Sequence, residues 1–193
     1  MRIGNSADDS AHRAFIIGLH RRWCPGAEIV EGHFRGDLKL RRRFEIPMIC
    51  EELAMKGVDV MVFLTDGDGR PWREVQKEEL GRFPPQHSPT TVVGVADRNV
   101  ECWICADVDY VAGRSNRHAA VFRVVDPKGA FEDALGITSV NRREAEVSEL
   151  VAQAPLHRWL HNDSFKAFYE ALRDLSQQQG CQIENLLDRQ STR

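Results

Sequence analysis

Two stretches of the chain are apolar with little alternation and end abruptly in polar residues. Val60–Leu64 leads into Thr65 and Asp66, and Thr90–Ala96 leads into Asp97. Such continuous apolar strands are typical of a sheet covered on both faces, because neither face meets water. The segments around them carry apolar residues at helical spacing. This alternation predicts an α/β fold with a mainly parallel sheet flanked by helices.

Helix bounds are predicted from apolar spacing, from N-cap residues and from glycines that end helices. Asp8, Asp9 or Ser10 is expected to cap the first helix, and Asp97 or Asn99 a later one. The predicted helices cover residues 9–24, 47–56, 72–80, 126–136, 144–152 and 164–179, with a short strand at 27–34 and a loop at 113–117. We expect a core over residues 1–125, a helical C-terminal extension over 126–187 packed on that core, and a frayed tail at 188–193.

The segment after the first apolar strand is the strongest candidate for chemistry. Asp66 and Asp68 are interleaved with Gly67 and Gly69. Side chains alternate across a strand, so both carboxylates could point the same way at its end. Two carboxylates at the edge of a buried sheet are costly unless a cation neutralises them, and Mg²⁺ or Mn²⁺ prefers oxygen ligands. The alternative is an ordinary polar Asp-Gly turn.

The end of the second apolar strand offers further acidic residues. If the two strands are neighbours, Asp97 or Glu101 could lie at the same edge as Asp66. Helix capping by Asp97 and a solvated Glu101 are the simpler interpretation.

Cysteines and histidines give no clear site. Five scattered cysteines without a signal peptide predict reduced thiols in a cytoplasmic protein. Cys102 and Cys105 form one CxxC, which we interpret as core, and the seven histidines as structural or surface residues. No apolar run approaches the roughly 20 residues that span a bilayer.

Net charge is −3, which excludes polyanion binding by overall charge. A local basic cluster could contact a phosphate backbone, although a solvated face or a protein interface would explain it equally. Its members are Arg35, Lys39, Arg41, Arg42 and Arg43. No GxxxxGK[ST] loop is present, so the chain is not expected to be an ATPase itself.

Three motifs in this order resemble the Toprim (topoisomerase–primase) superfamily. They are Asp66-Gly67-Asp68 at a strand end, the Glu-Cys-Trp helix at Glu101–Asp107, and the Ser-Phe helix at Asp163–Leu172. The chain looks most like small Toprim-like proteins of bacterial defence loci, akin to the Toprim half of the overcoming-lysogenization-defect nucleases. The resemblance spans Asn5 to Leu175.

The resemblance implies a Toprim-like α/β core that cleaves phosphodiester bonds with Mg²⁺ or Mn²⁺, often together with an ATPase encoded nearby. By match, Asp66 and Asp68 would be metal ligands and Glu101 a further catalytic acid. Family members carry a glutamate just before the first helix. Residues 4–9 contain none, so Asp8 or Asp9 would have to substitute. The strand before that position is expected to be nearly absent.

The leading hypothesis is therefore a metal-dependent nuclease, cutting DNA or RNA in anti-phage defence. A catalytically inactive Toprim-like binding subunit of a defence complex, as a homo- or hetero-oligomer, is the alternative. A haloacid-dehalogenase-type phosphatase is a weaker one, since its DxDG motif supplies a nucleophilic aspartate. Against it, that motif normally opens the domain, whereas Asp66 lies well inside the chain.

Overall fold

The computed structural model describes residues 1–7, 9–32 and 38–181, with backbone alone for 38–44. Asp8, Arg35 and the side chains of Lys39, Arg41, Arg42 and Arg43 lie outside this description, and so does the segment from residue 182 onward.

Four parallel strands form one sheet in the order β2-β1-β3-β4. The strands are β1 (Arg2–Ala7), β2 (Glu28–Glu31), β3 (Val60–Asp66) and β4 (Thr91–Ala96). The helices are α1 (Ser10–Trp23), α2 (Leu38–Met55), α3 (Trp72–Leu80), α4 (Val100–Ile104), α5 (Val108–Ser115), α6 (Lys128–Leu135), α7 (Val140–Gln153), α8 (Leu156–Trp159) and α9 (Asp163–Gln178). Short 3-10 turns occupy Ser88–Thr90 and Ala119–Phe122. The predicted α/β class, the parallel sheet and the helical C-terminal part are confirmed.

Helices cover the sheet on both faces. Along β3, Val60, Val62 and Leu64 join the core beneath α1 and α4–α9, whereas Met61 and Phe63 join the core beneath α2 and α3. This division follows from the alternation of side chains along a strand. It explains why β3 lacks a polar face in the sequence.

The C-terminal helix α9 packs closely against the two strands at the end of the sheet. A Cβ atom at Gly94 would lie 2.6 Å from Phe168 of α9 and 2.8 Å from Leu64 of β3. Glycine therefore permits this approach between helix and sheet. Residues 163–178 share a continuous core with strands β3 and β4.

The expectation that the first strand is nearly absent is wrong. β1 spans six residues and pairs with both β2 and β3, with Ile3 opposite Val60 and Ala7 opposite Leu64. Its residues include Gly4, Asn5 and Ser6, which carry no strand signal, yet all three are buried. The two neighbouring strands supply its hydrogen bonds, so tertiary context overrides local propensity.

Two further expectations on helices need correction and three are confirmed. Helix α2 begins at Leu38 rather than near Pro47, which lies inside it. Residues 113–115, expected in a loop, complete α5. Asp9 caps α1, Asn99 caps α4, and α6 ends at Gly136 in the left-handed region, each as predicted.

A disulfide joins Cys24 to Cys181, with Cα atoms 6.1 Å apart. The expectation of five reduced thiols is therefore wrong for this pair. The ends of α1 and α9 meet across 157 residues of sequence, which no spacing rule could show. Cys50, Cys102 and Cys105 are free. Among the described helices, none is both long and apolar enough to cross a bilayer.

Candidate active site

The loop after β3 is held against the end of β4 by three backbone hydrogen bonds. Gly67 N–H donates to Ala96 O over 2.7 Å, Asp68 N–H to Arg98 O over 3.1 Å, and Gly69 N–H to Asp97 O over 3.2 Å. A Cβ atom at Gly67 would lie 2.7 Å from two carbonyl oxygens, so this position requires glycine. The two strands are neighbours, which is the condition under which Asp97 or Glu101 could lie near Asp66.

The two aspartates of this loop have different environments. Asp66 is the last residue of β3, and its side chain is only 16% exposed. Asp68 lies beyond the strand at φ +54° and is exposed. The alternation argument that placed both carboxylates on one face is therefore wrong, because the extended backbone stops at Asp66.

A buried histidine links the N-terminus of α1 to the end of β3. His12, in the first turn of α1, is 1% exposed. Its Nδ1 lies 2.7 Å from Asp9 Oδ1, and its Nε2 lies 2.7 Å from Asp66 Oδ1. Asp9 Oδ1 also accepts hydrogen bonds from the backbone N–H groups of Ala11 and His12, as the N-cap of α1. The order Asp9–His12–Asp66 fixes one oxygen of Asp66.

The charges of these three side chains follow from that geometry. Burial alone would lower the pKa of His12, but its bonds to Asp66 and Asp9 outweigh burial and raise the pKa to about 9. Both ring nitrogens face carboxylates, which only accept, so the imidazolium donates twice. Burial opposes ionisation of Asp9, yet His12 holds the pKa of Asp9 well below its ordinary value. At neutral pH the His12 imidazolium therefore lies between the carboxylates of Asp9 and Asp66.

Glu101 is a second kind of acidic group at this end of the sheet. It is 1% exposed, and its Oε1 has no hydrogen-bond partner in the described part of the chain. Burial raises the pKa of Glu101, while the positive charges of Lys128 and His12 oppose that rise. The negative charge of Asp66 adds to the rise in the pKa of Glu101, so the two carboxyl groups interact electrostatically. Glu101 therefore keeps its proton up to a higher pH than an exposed glutamate does.

The two helices that carried the resemblance contact each other directly. Trp103 Nε1–H donates to Ser164 Oγ over 2.6 Å, and the Trp103 ring stacks on Phe168 at 5.4 Å. Cys105 is part of the core, as expected, whereas Cys102 is only partly buried and lies outside the core. Asp97 accepts a hydrogen bond from Asn162 Nδ2 over 2.7 Å instead of reaching the site. These contacts fix α4, and with it Glu101.

The donor chemistry suits a hard divalent cation, although no cage for one is prebuilt. Within residues 1–7, 9–32 and 45–181, no three His, Cys, Asp or Glu side chains form a cation-binding group. Mg²⁺ commonly takes one or two protein carboxylates and completes its octahedron with water and substrate phosphate. The partnerless Oε1 of Glu101 beside Asp66 shows unsatisfied oxygen-donor capacity here. Asp66 and Glu101 are the oxygen donors that lie together here, and Asp68 follows Asp66 on the exposed turn.

Sequence reasoning missed two members of this site. His12 was one of seven isolated histidines, and its partner Asp66 is 54 residues away, so spacing gave no signal. Lys128 opens α6 and acts electrostatically on Asp9 and Glu101. Of the predicted residues, the structure brings together Asp9, Asp66 and Glu101 and leaves Asp68 on the exposed turn.

Comparison of the chain with family models, with curated proteins and with solved structures yields no match.

Proposed function

We propose that this protein is a Toprim-like, Mg²⁺- or Mn²⁺-dependent phosphodiesterase that cleaves nucleic acid. The observation that carries the proposal is the convergence of Asp66, Glu101, His12 and Lys128 at the carboxyl ends of β3 and β4. Ligand and catalytic sites of open parallel sheets lie at this end. A buried carboxyl group with a raised pKa beside a second carboxyl group is an arrangement that acid–base chemistry uses.

Each residue has a distinct proposed role. Asp66 and Asp68 would hold the metal, which when bound activates water and neutralises charge on the phosphate. His12 orients Asp66 through the contact of its Nε2 with Asp66 Oδ1. Glu101, whose pKa is raised by burial, would donate a proton to the leaving oxygen. Lys128 adds positive charge that attracts a phosphate.

The test is a cleavage assay on plasmid DNA and on RNA with Mg²⁺ or Mn²⁺. The double variant Asp66→Asn with Asp68→Asn should lose at least about a hundredfold in rate, since metal-supported charge neutralisation is removed. Asp109→Asn changes the same functional group on the exposed face of α5 and should cleave like the wild type. Cleavage that survives the double variant contradicts the site assignment.

A non-catalytic binding subunit is the second candidate, and one observation favours it. No glutamate precedes α1, and Asp9, the residue in its place, is already committed to capping α1 and to His12. An imidazolium also neutralises Asp66 before any metal arrives. The proposed partner is an ATPase encoded nearby, in an anti-phage defence complex. Co-elution with that ATPase, combined with no cleavage under any metal, would select this candidate.

The phosphatase alternative has less support. Asp66 ends the third strand of the chain, after two complete strand–helix units in the same sheet. Release of phosphate from a generic phosphomonoester, lost in Asp66→Asn, would favour it over the nuclease.

A further inference from the structure

An open groove of about 560 Å³ lies directly beside the Asp66–Gly69 loop. One wall is formed by residues 69–72, after β3, and the other by residues 124–127, before α6. Asp97 and Arg98 form its base. Lys128 follows the second wall immediately in sequence, so the groove opens next to the candidate active site. Its volume is in the range of small-molecule and nucleotide sites.

Arg98 gives this groove an available positive charge. Its guanidinium forms no hydrogen bond and no ion pair with any described residue, and it lies over Gly69, where a Cβ atom would be 3.3 Å from Nη2. The Asp126 carboxylate is near enough to feel the charge of Arg98 but is hydrogen-bonded to Asn99. Arg70, by contrast, is paired with both oxygens of Glu78. Arg98 is therefore the groove's anion-binding candidate.

The remaining surface of the groove is apolar and aromatic. Trp72 lines it and is only half-buried, with the Arg73 guanidinium 4.4 Å from its ring centroid. Val124 is 52% exposed and Val125 is 81% exposed on the opposite wall. Cys102 and Cys105 complete the lining, and burial raises the pKa of both thiols, so they stay neutral. An indole and two exposed valines that line the same groove suit the flat, apolar faces of a nucleobase.

From these features we infer that the groove binds an unpaired nucleotide of single-stranded nucleic acid. One base packs against Trp72 and the valine wall, and its phosphate pairs with Arg98. Grooves that bind single strands combine stacking side chains with cations in this manner. A duplex keeps its bases stacked internally and needs a wider array of phosphate contacts than one arginine supplies. The inference rests on the proposed function, since it names the form of nucleic acid that reaches that site.

The experiment measures binding without cleavage, so that the two proposals fail separately. Fluorescence anisotropy in EDTA compares a labelled oligothymidine of about ten nucleotides with a duplex of equal length. We expect the single strand to bind at least about tenfold more tightly than the duplex. Because EDTA withholds the metal, binding is measured independently of cleavage, and Asp109→Asn, outside the groove, should bind the single strand like the wild type.

Two variants assign the binding to the groove. Arg98→Gln should weaken single-strand binding roughly tenfold and reduce the salt dependence by about one ion, as expected for a lost phosphate contact. Arg117→Gln, an equal charge change at an exposed arginine outside the groove, should have no effect. Arg98→Lys should restore part of the affinity, because the charge is retained.

Tryptophan fluorescence gives an independent readout of stacking. Trp23, Trp103 and Trp159 are at most 5% exposed, so Trp72 is the tryptophan that a bound base would quench. The quenching should disappear in Trp72→Phe, which keeps an aromatic ring for the core and should weaken binding by roughly fivefold or more. Equal affinity for duplex and single strand, equal behaviour of Arg98→Gln and Arg117→Gln, or no oligonucleotide binding at all would overturn the inference. If no oligonucleotide binds, an apolar protein segment becomes the better candidate for the ligand of the groove.

Discussion

The buried His12 bridge makes the stability of this protein depend on pH in a defined direction. The pKa of His12 is raised from 6.5 to about 9, because its two carboxylate partners outweigh burial. A group with a raised pKa in the folded state stabilises it fully below the unfolded pKa and loses that contribution as pH rises through the folded pKa. The free energy of unfolding should therefore fall between pH 6.5 and pH 9.

The size of the effect follows from the shift. Each pKa unit corresponds to about 1.4 kcal/mol, so a rise from 6.5 to about 9 contributes about 3 kcal/mol at low pH. Of this, about 2 kcal/mol should be lost between pH 6.5 and pH 8.5. The raised pKa of Glu101 also lowers stability as pH rises, but it does so with and without His12, so the difference between the two slopes reports His12. Burial lowers the pKa of His20, so its influence on stability falls mainly below pH 6.5. Burial raises the pKa of the three free thiols, so their influence on stability falls mainly above pH 9.

The assay is urea unfolding followed by circular dichroism at several pH values in that window. Wild type should lose stability as pH rises, whereas His12→Gln should start lower and lose about 2 kcal/mol less across the window. His161→Gln removes an exposed histidine with no bonded carboxylate and should keep the wild-type slope. A flat wild-type profile, or a wild-type slope in His12→Gln, would refute the reasoning that places an imidazolium between Asp9 and Asp66.

Three more predictions concern the same molecule. Gly67→Ala should cost about 1 to 3 kcal/mol of stability in urea unfolding, because its Cβ would meet two carbonyl oxygens, whereas Gly113→Ala, in open space, should cost nothing; equal effects would contradict the close approach. Glu101→Gln should raise the melting temperature at pH 7 but not at pH 4. Burial raises the pKa of Glu101, so ionisation of this side chain at neutral pH stabilises the unfolded state relative to the folded state. A lower melting temperature at pH 7 would show that the folded state stabilises the ionised form. Thiol titration of the denatured, unreduced protein should count three groups and five after reduction; five in both samples would exclude the disulfide.

The sequence predicted an element correctly where its local strand or helix propensity agreed with the tertiary environment in the folded protein. Strand β3 was predictable because Val60–Leu64 must face a core on both sides, and no other element explains such a run. Strand β1 was not, since Gly4, Asn5 and Ser6 have poor strand propensity and are ordered only by β2 and β3. Helix α2 continues across Pro47, which local rules treat as a breaker.

The candidate site divides in the same way. Asp66 and Glu101 were predictable, because parallel strands bring their carboxyl ends to one edge. His12 was not, because its role depends on the crossover that places α1 over β3 and on two carboxylates 3 and 54 residues away. Side-chain networks of this kind are set by topology, which periodicity does not specify.

The contacts of α9 have a consequence for how this protein can be shortened. Asn162 binds Asp97, Ser164 binds Trp103, and Phe168 fills the space above Gly94. A chain ending before Asn162 would keep every proposed catalytic residue, yet it would lose the support of the β4 end and of the helix that holds Glu101. Removal of α9 should therefore abolish the proposed activity, although α9 carries none of the proposed catalytic residues. Fusion tags at that end should be added after α9 rather than in place of it.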